Sequence, residues 1–302
     1  MKNQAVLAID AGGTFFKSAL IKNNCAVAEL SEKEYAINSA SDREFLLAVY
    51  YRIFSDYQIE AGLRNLEISG MAISTPGPFD YSSGTYRMQH KFASLFGTSL
   101  PEKIKEHFSP GRDFRFYFMH DVHAFLCGEL FAGAARGEDS VMAITIGTGL
   151  GFGYFKEGRI VDNSTGGPCY CLFRQKHENG ILEDIISRRG LISAYKRFSG
   201  RLDSIDVKAI ADLARAGNVP AQQAFQQAGQ VLSEHLRILV SAYSCSCIVF
   251  GGQISKSLDL FNIKQPAPGI KITVQQNPHS PLIGAALPLF QGSGNYNTEK
   301  KI

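Results

Sequence analysis

The sequence predicts an α/β protein made of two similar parts, each a sheet packed between helices. Three observations carry this expectation. Short apolar runs with strand character alternate with longer segments of helical apolar spacing, which is the pattern of sheets covered by helices. A strand, glycine turn and strand near the start, "VLAIDAGGTFFKSAL" (6–20), recurs 135 positions later as "VMAITIGTGLGFGYF" (141–155). With 302 residues, of which 45% are hydrophobic, the chain is long enough to bury two cores.

In the repeat, Val6 lies over Val141, Ala8 over Ala143, Ile9 over Ile144 and Gly12 over Gly147. The carboxylate does not repeat, since Thr145 lies beneath Asp10. Gly12 and Gly13 suit a plain hairpin turn. They also suit a phosphate cradle, because glycine lets backbone N–H groups approach an anion while Asp10 holds a metal ion beside it. Two turns alike in backbone and different in chemistry are what two halves gripping one polyphosphate require.

The remaining elements follow in order. "DREFLLAVYYRIFSDY" has helical apolar spacing with Asp42 at its start, and "LEISGMAISTPGPFD" reads as a strand stopped by a Pro-Gly-Pro turn. Residues 101–108 form a short helix after Pro101. "DFRFYFMHDVHAFLCGELFAGAA" gives a strand ending near Met119 and a helix that starts almost at once. After the second glycine hairpin comes a variable segment, 156–180, and then helices over roughly 181–198, 205–216 and 219–243. "CSCIVFGGQIS" and "GIKITVQQ" are strands, and "PLIGAALPLF" (281–290) is a small-residue helix. The tail after Gly292 is polar and expected to fray.

Composition excludes several classes. A net charge of +3 without a basic arm or stripe argues against nucleic acid as a partner. No stretch approaches the roughly 20 apolar residues of a membrane span, and the start has no export signal, so a cytoplasmic location is expected. Six cysteines without a dense framework fit a reduced compartment, and Cys25, Cys127, Cys245 and Cys247 read as small core residues.

The segments "DAGGT" (10–14), "STPGPFD" (74–80), "HDVHAF" (120–125), "TIGTGLGFG" (145–153), "LEDIISRRGL" (182–191) and "IVFGGQIS" (248–255), in this order, resemble the ROK family of sugar kinases and regulators within the actin-like ATPase superfamily. The resemblance covers nearly the whole chain. It implies two ribonuclease-H-like domains with a cleft between them: 1–118, completed by the helix near 281–292, and 119–280. It also implies a glucokinase-like transfer of phosphate from ATP to a hexose or hexose derivative, with Mg²⁺ as cofactor and a homodimer as the assembly. Hinge closure would bring the halves onto nucleotide and sugar.

Carried over residue by residue, the resemblance makes Gly12, Gly13 and Thr14 the first phosphate loop and Gly147, Thr148 and Gly149 the second. Gly251 and Gly252 form the turn against the adenosine. Asp10 matches the metal-side carboxylate, and Asp121 matches the base that takes the proton of the attacking sugar hydroxyl. Asp121 also sits where a helix N-cap would, and both roles are compatible. The alternative is a sugar-binding sensor without turnover. A DNA-binding repressor is disfavoured, because family repressors carry an N-terminal helix-turn-helix for which Asp10 lies too near the start.

The sugar pocket departs from the family pattern. An Asn usually follows the Pro-Gly-Pro turn in a Pro-Asn motif, whereas "MQHKFASLFG" puts His90 or Lys91 there. The residue before the base is usually Asn and here is His120. Each replacement still offers hydrogen-bond donors to a sugar.

"NSTGGPCYCLFRQKHENGILED" lacks the family's Glu-x-Gly-His segment altogether. Cys169 and Cys171 keep the first Cys-x-Cys spacing of the zinc motif, but Ile181 stands where a third Cys should precede Leu182 and Glu183. His177 offers a third ligand, nothing supplies a fourth, and structural zinc takes four. Elemental analysis of protein purified without chelator is therefore expected to find well under one zinc per chain, and near-stoichiometric zinc would contradict the expectation.

Overall fold

The computed structural model describes residues 3–29, 31–178 and 180–291. The polar tail after Gly292 lies outside the described residues. The chain divides into two compact units. One comprises the stretch up to Gly133, Gly158–Pro168 and the stretch from Asn277, and the other Ala134–Glu157 and Cys169–Gln276.

The first unit holds strands β1 (Asn3–Ala11), β2 (Phe15–Lys22), β3 (Lys33–Ala36), β4 (Leu66–Thr75) and β5 (Arg115–His120) in the order β3-β2-β1-β4-β5. β1 and β2 form an antiparallel hairpin, and β4 and β5 add in parallel. Its helices are α1 (Arg43–Leu63), α2 (Leu100–Phe108) and α3 (Asp121–Ala132), with α8 (Ser280–Gln291) from the far end of the chain.

Strand alternation explains the layering. Ala5, Leu7, Ile9 and Ala11 of β1 face one core with Leu46, Tyr50, Ile53, Phe54 and Tyr57 of α1. Val6 and Ala8 face the opposite core with Ala124 and Cys127 of α3 and Leu282, Ile283 and Ala286 of α8. Both faces are covered, so the strand reads as an unbroken apolar run until Asp10. α1 starts where expected because the Asp42 side chain accepts a hydrogen bond from the Phe45 N–H at 2.7 Å.

The second unit repeats this plan with β6 (Ser140–Ile146), β7 (Leu150–Lys156), β8 (Cys247–Gly251) and β9 (Lys271–Val274) in the order β7-β6-β8-β9. β6 and β7 are antiparallel, and β8 and β9 are parallel additions. Four helices accompany them: α4 (Glu183–Ile186), α5 (Arg188–Ser199), α6 (Val207–Arg215) and α7 (Val219–Ala242). The 135-residue repeat is therefore structural. β1 ends at Ala11 and β6 at Ile146, while β2 begins at Phe15 and β7 at Leu150.

Two details differ from the expectation. The division falls after Gly133 rather than near residue 118, because α3 packs on α8 of the first unit. The approach is so close that a Cβ on Gly128 would strike the Ser280 backbone, and one on Gly284 the Ala124 carbonyl. The helix expected over 181–198 is broken at Ser187, which is extended (φ −96°, ψ 178°) and fully buried. The Arg188 N–H there donates to the Gly147 carbonyl at 2.9 Å instead of continuing α4.

Among the described residues no helix is long and apolar enough to cross a membrane.

Candidate functional site

In the first unit, the carboxyl ends of β1, β4 and β5 carry the polar residues. Asp10 lies opposite Ser74 in the parallel β1/β4 register and opposite Lys17 in the hairpin. Ser74, fully buried, donates through its hydroxyl to Asp10 Oδ1 at 2.8 Å. Burial pushes the Asp10 carboxyl up from 3.8 to about 6; the Ser74 hydrogen bond opposes this, nearby Asp121 adds to it, and Lys17 opposes it more weakly. Lys17 is itself held by Glu34 at 2.8 Å, so it compensates Asp10 only in part.

This has a measurable consequence. A carboxyl with a raised value in the folded chain costs nothing below 3.8, where it is protonated folded and unfolded alike. The cost is complete above about 6. Asp10→Asn is expected to stabilise the ligand-free protein by about 1–3 kcal/mol at pH 7.5, from ~1.36 kcal/mol per pH unit. The gain should fall to about half a kcal/mol or less near pH 4, and urea unfolding at both pH values checks it. Equal stability of variant and parent at pH 7.5 would contradict it.

The turn after β1 is tight. The Gly12 N–H donates to the Phe15 carbonyl at 3.1 Å, and a Cβ there would come 2.9 Å from that oxygen. The Gly13 and Thr14 carbonyls accept from Ser39 and Ile37, whereas the N–H groups of Gly13 and Thr14 make no hydrogen bond among the described residues. Unengaged successive amides are what an anion takes up.

The matching turn of the second unit behaves alike: the Gly147 N–H donates to the Gly149 carbonyl at 3.0 Å, leaving the Thr148 and Gly149 amides unengaged among the described residues. Glu183 braces this turn by accepting from the Leu150 N–H at 3.1 Å. Gly251 pairs with Thr145 as Ser74 pairs with Asp10. Gly252 has φ +86°, and a Cβ there would strike the Ile146 carbonyl, so only glycine fits.

β5 runs directly into α3, and this junction sets Asp121. His120, not Asp121, holds the N-cap position, and Asp121 is the first helical residue. His120 Nδ1 lies 2.8 Å from Asp121 Oδ1, and the Val122 N–H donates to the same oxygen at 2.7 Å. Burial opposes ionisation of Asp121. The charge and hydrogen bond of His120, the Val122 amide and the Lys91 charge outweigh that, holding the carboxyl below its ordinary value. With 45% of its side chain exposed, Asp121 also keeps water to solvate the charge. Asp10 and Asp121 are thus pushed apart, one upward and one downward, as groups with different tasks are.

Of the residues expected at the sugar, Lys91 is half-buried and its charge reaches Asp121, while His90 is exposed. His120 is drawn to Asp121 itself. Sequence reasoning overlooked Ser74, Tyr81 and His123. Tyr81 donates to the Thr75 carbonyl at 3.1 Å with its ring 6.1 Å from that of His120, and His123 lies 5.6 Å from His120 on the other count. Burial, with the neighbouring His120, pulls His123 down to about 3, so it is neutral. Ser74 and His123 had a signal in the sequence, their places in "STPGPFD" and "HDVHAF", whereas Tyr81 had none.

Elsewhere in the second unit Cys169 is half-buried and hydrogen-bonded with Tyr243, and Cys171 is exposed. The His177 ring lies 5.8 Å from that of His235. No cluster of three or more His, Cys, Asp or Glu arranged as metal ligands occurs among the described residues.

Comparison with known proteins agrees with this architecture. The family model of the ROK family matches residues 6–286. A glucokinase of Thermotoga maritima is 24% identical over 284 residues, covering 85% of this chain and 84% of the relative. An N-acetylmannosamine kinase of Salmonella typhimurium is 25% identical over 310 residues, covering 95% and 98%. The crystal structure of a ROK family glucokinase from Streptomyces griseus, in complex with glucose and AMPPNP, superposes with a TM-score of 0.75 at 20% identity. It covers 93% of this chain and 98% of that one. The fold is the two-domain fold of actin-like ATPases.

Proposed function

The chain belongs to the ROK family, and from that premise we propose that it transfers the terminal phosphoryl group of ATP to a hydroxyl of a hexose or hexose derivative. The observation that carries this is the state of Asp121. Two N–H donors hold Oδ1, no donor among the described residues engages Oδ2, and the carboxyl is kept ionised. A positioned, ionised carboxylate oxygen is what a base on an attacking hydroxyl needs. The glucokinase and N-acetylmannosamine kinase relatives support a hexose or hexosamine as acceptor.

In the proposed reaction the hydroxyl proton passes to Asp121 Oδ2 as the sugar oxygen bonds to phosphorus, and the bond to the ADP oxygen breaks. Charge spreads over the transferred oxygens in such a step, so donors matter more than covalent chemistry. The unengaged amides of Gly13 and Thr14 and of Thr148 and Gly149 are proposed to bind nucleotide phosphates. Gly251 and Gly252 are proposed to lie against the adenosine, and Lys91 and His90 to serve the sugar.

Asp10 fits Mg²⁺. It is a single, poorly compensated carboxylate at a strand end, and Mg²⁺ is usually held by one or two carboxylates together with substrate phosphates. When bound, the ion would neutralise charge on the phosphates, with Asp10 as its protein ligand and Ser74 fixing that carboxylate through Oδ1.

A coupled ADP-release assay over hexoses, N-acetylhexosamines and sugar acids tests the proposal. Saturable, sugar-dependent ADP release is expected with at least one member. Sugar binding without any ADP release would instead support the non-catalytic sensor, which the altered residues at positions 90, 91 and 120 also suit.

A further inference from the structure

We propose that His120 is a positioning residue for Asp121, donating from Nδ1 to Oδ1 so that Oδ2 alone is presented to the sugar hydroxyl. The inference deepens the kinase reading and rests on it, and it moves His120 from the sugar contact that the sequence suggests to a partner of the base.

The geometry fixes which nitrogen carries the proton. The Val122 N–H lies within hydrogen-bond distance of both Asp121 Oδ1, at 2.7 Å, and His120 Nδ1, at 3.3 Å, and its one hydrogen goes to the nearer, charged oxygen. Nδ1 stands 2.8 Å from that same ionised oxygen, a distance at which it must donate rather than accept. The network therefore puts a proton on Nδ1, and Nε2 has no partner among the described residues. Oδ1 then accepts two hydrogen bonds and has little capacity to act as a base. Oδ2 has none and takes the proton.

The ring is held to this task. The His120 side chain is 15% exposed, and the Tyr81 and His123 rings lie 6.1 and 5.6 Å from its own. Gly77 leaves room at its edge, where an added Cβ would sit 3.8 Å from His120 Cδ2. The charged and titratable groups that act on Asp121 are Asp10 from the hairpin, Tyr81 and Lys91 from the segment after β4, and His120 and His123 from the β5–α3 junction. Tyr81 and His123 are both held neutral, chiefly by burial. Among the described residues, only His120 touches the carboxylate directly with its side chain.

Isosteric variants separate the two roles. The side-chain amide nitrogen of Asn occupies the place of Nδ1, and that of Gln the place of Nε2. In the full chain, His120→Asn is expected to keep kcat within about threefold, while His120→Gln and His120→Ala lower kcat about 10- to 100-fold with little change in the sugar KM, the usual scale for a misplaced reacting group. Rescue by Gln with loss in Asn, or a raised KM at unchanged kcat, would show a sugar contact and overturn the proposal.

A readout independent of turnover separates this inference from the kinase reading. The ¹³C carboxyl resonance of Asp121 should titrate at higher pH in His120→Ala than in the parent, with His120→Asn in between. An unchanged titration in His120→Ala overturns the coupling. A chain that phosphorylates no sugar sinks the proposed function while this titration still decides the role of His120.

Discussion

An Asp121→Asn chain is expected to phosphorylate its sugar about 10²- to 10⁴-fold more slowly than the parent, the usual contribution of a positioned base. The substitution is nearly isosteric. Its side-chain oxygen can still accept from the Val122 N–H and from His120 Nδ1, so the start of α3 keeps its hydrogen bonds. What disappears is the second carboxylate oxygen as a proton acceptor. Nucleotide affinity and melting temperature should therefore stay close to parental values, and they serve as controls. A variant that binds nucleotide normally and turns over at the parental rate would reduce Asp121 to a residue of the helix start.

Gly284→Val is expected to destabilise the first unit by about 3 kcal/mol or more, at the upper end for overpacking. The added atoms would meet the Ala124 carbonyl and the Gly128 amide, both backbone groups of α3 that cannot swing aside as a side chain can. Moving α3 away from α8 also shifts its first residue, Asp121, so folded molecules should lose activity as well. Gly62→Ala is the contrasting control. Gly62 lies in α1 with open space around it, and alanine there should add up to about 1 kcal/mol from helix propensity. Urea unfolding of both variants checks the pair, and equal effects would contradict the packing account.

Much of the fold was legible because its signals are local or repeated. The glycine hairpins announce themselves twice, and the apolar runs of β1 and β6 end in polar residues at matching positions, Asp10 and Thr145. α1 carries both a capping Asp42 and a clear apolar stripe. The division of the chain was less legible. Whether α3 joins the elements before or after it depends on the contacts of Gly128 with Ser280, and no local pattern encodes a contact 152 positions away. The break at Ser187 has a similar origin, because the Arg188 N–H leaves the helix for the Gly147 carbonyl of a distant turn.

The candidate site was legible as residue types and not as hydrogen bonds. Asp10 and Asp121 stand out as carboxylates at strand ends, but the Ser74 bond to Asp10 arises only from the parallel register of β1 with β4. The opposite pulls on the two carboxyls also depend on tertiary surroundings: burial at Asp10, and the His120 and Lys91 charges at Asp121. His120 and Asp121 are neighbours in sequence, yet which of them holds the N-cap of α3 and how their side chains bond follows from rotamers that the sequence leaves open.

In the proposed reaction the terminal phosphoryl group of ATP moves directly onto a sugar oxygen. The most direct test uses ATP carrying ¹⁸O in its γ-phosphate, incubated with the chain, Mg²⁺ and the sugar that best promotes ADP release, with the products analysed by mass spectrometry. A sugar monophosphate with three labelled oxygens is expected, its bridging oxygen unlabelled and supplied by the sugar, and this product should be strongly reduced with Asp121→Asn. Labelled inorganic phosphate with unmodified sugar would mean that water is the acceptor, and it would overturn the proposed transfer to sugar.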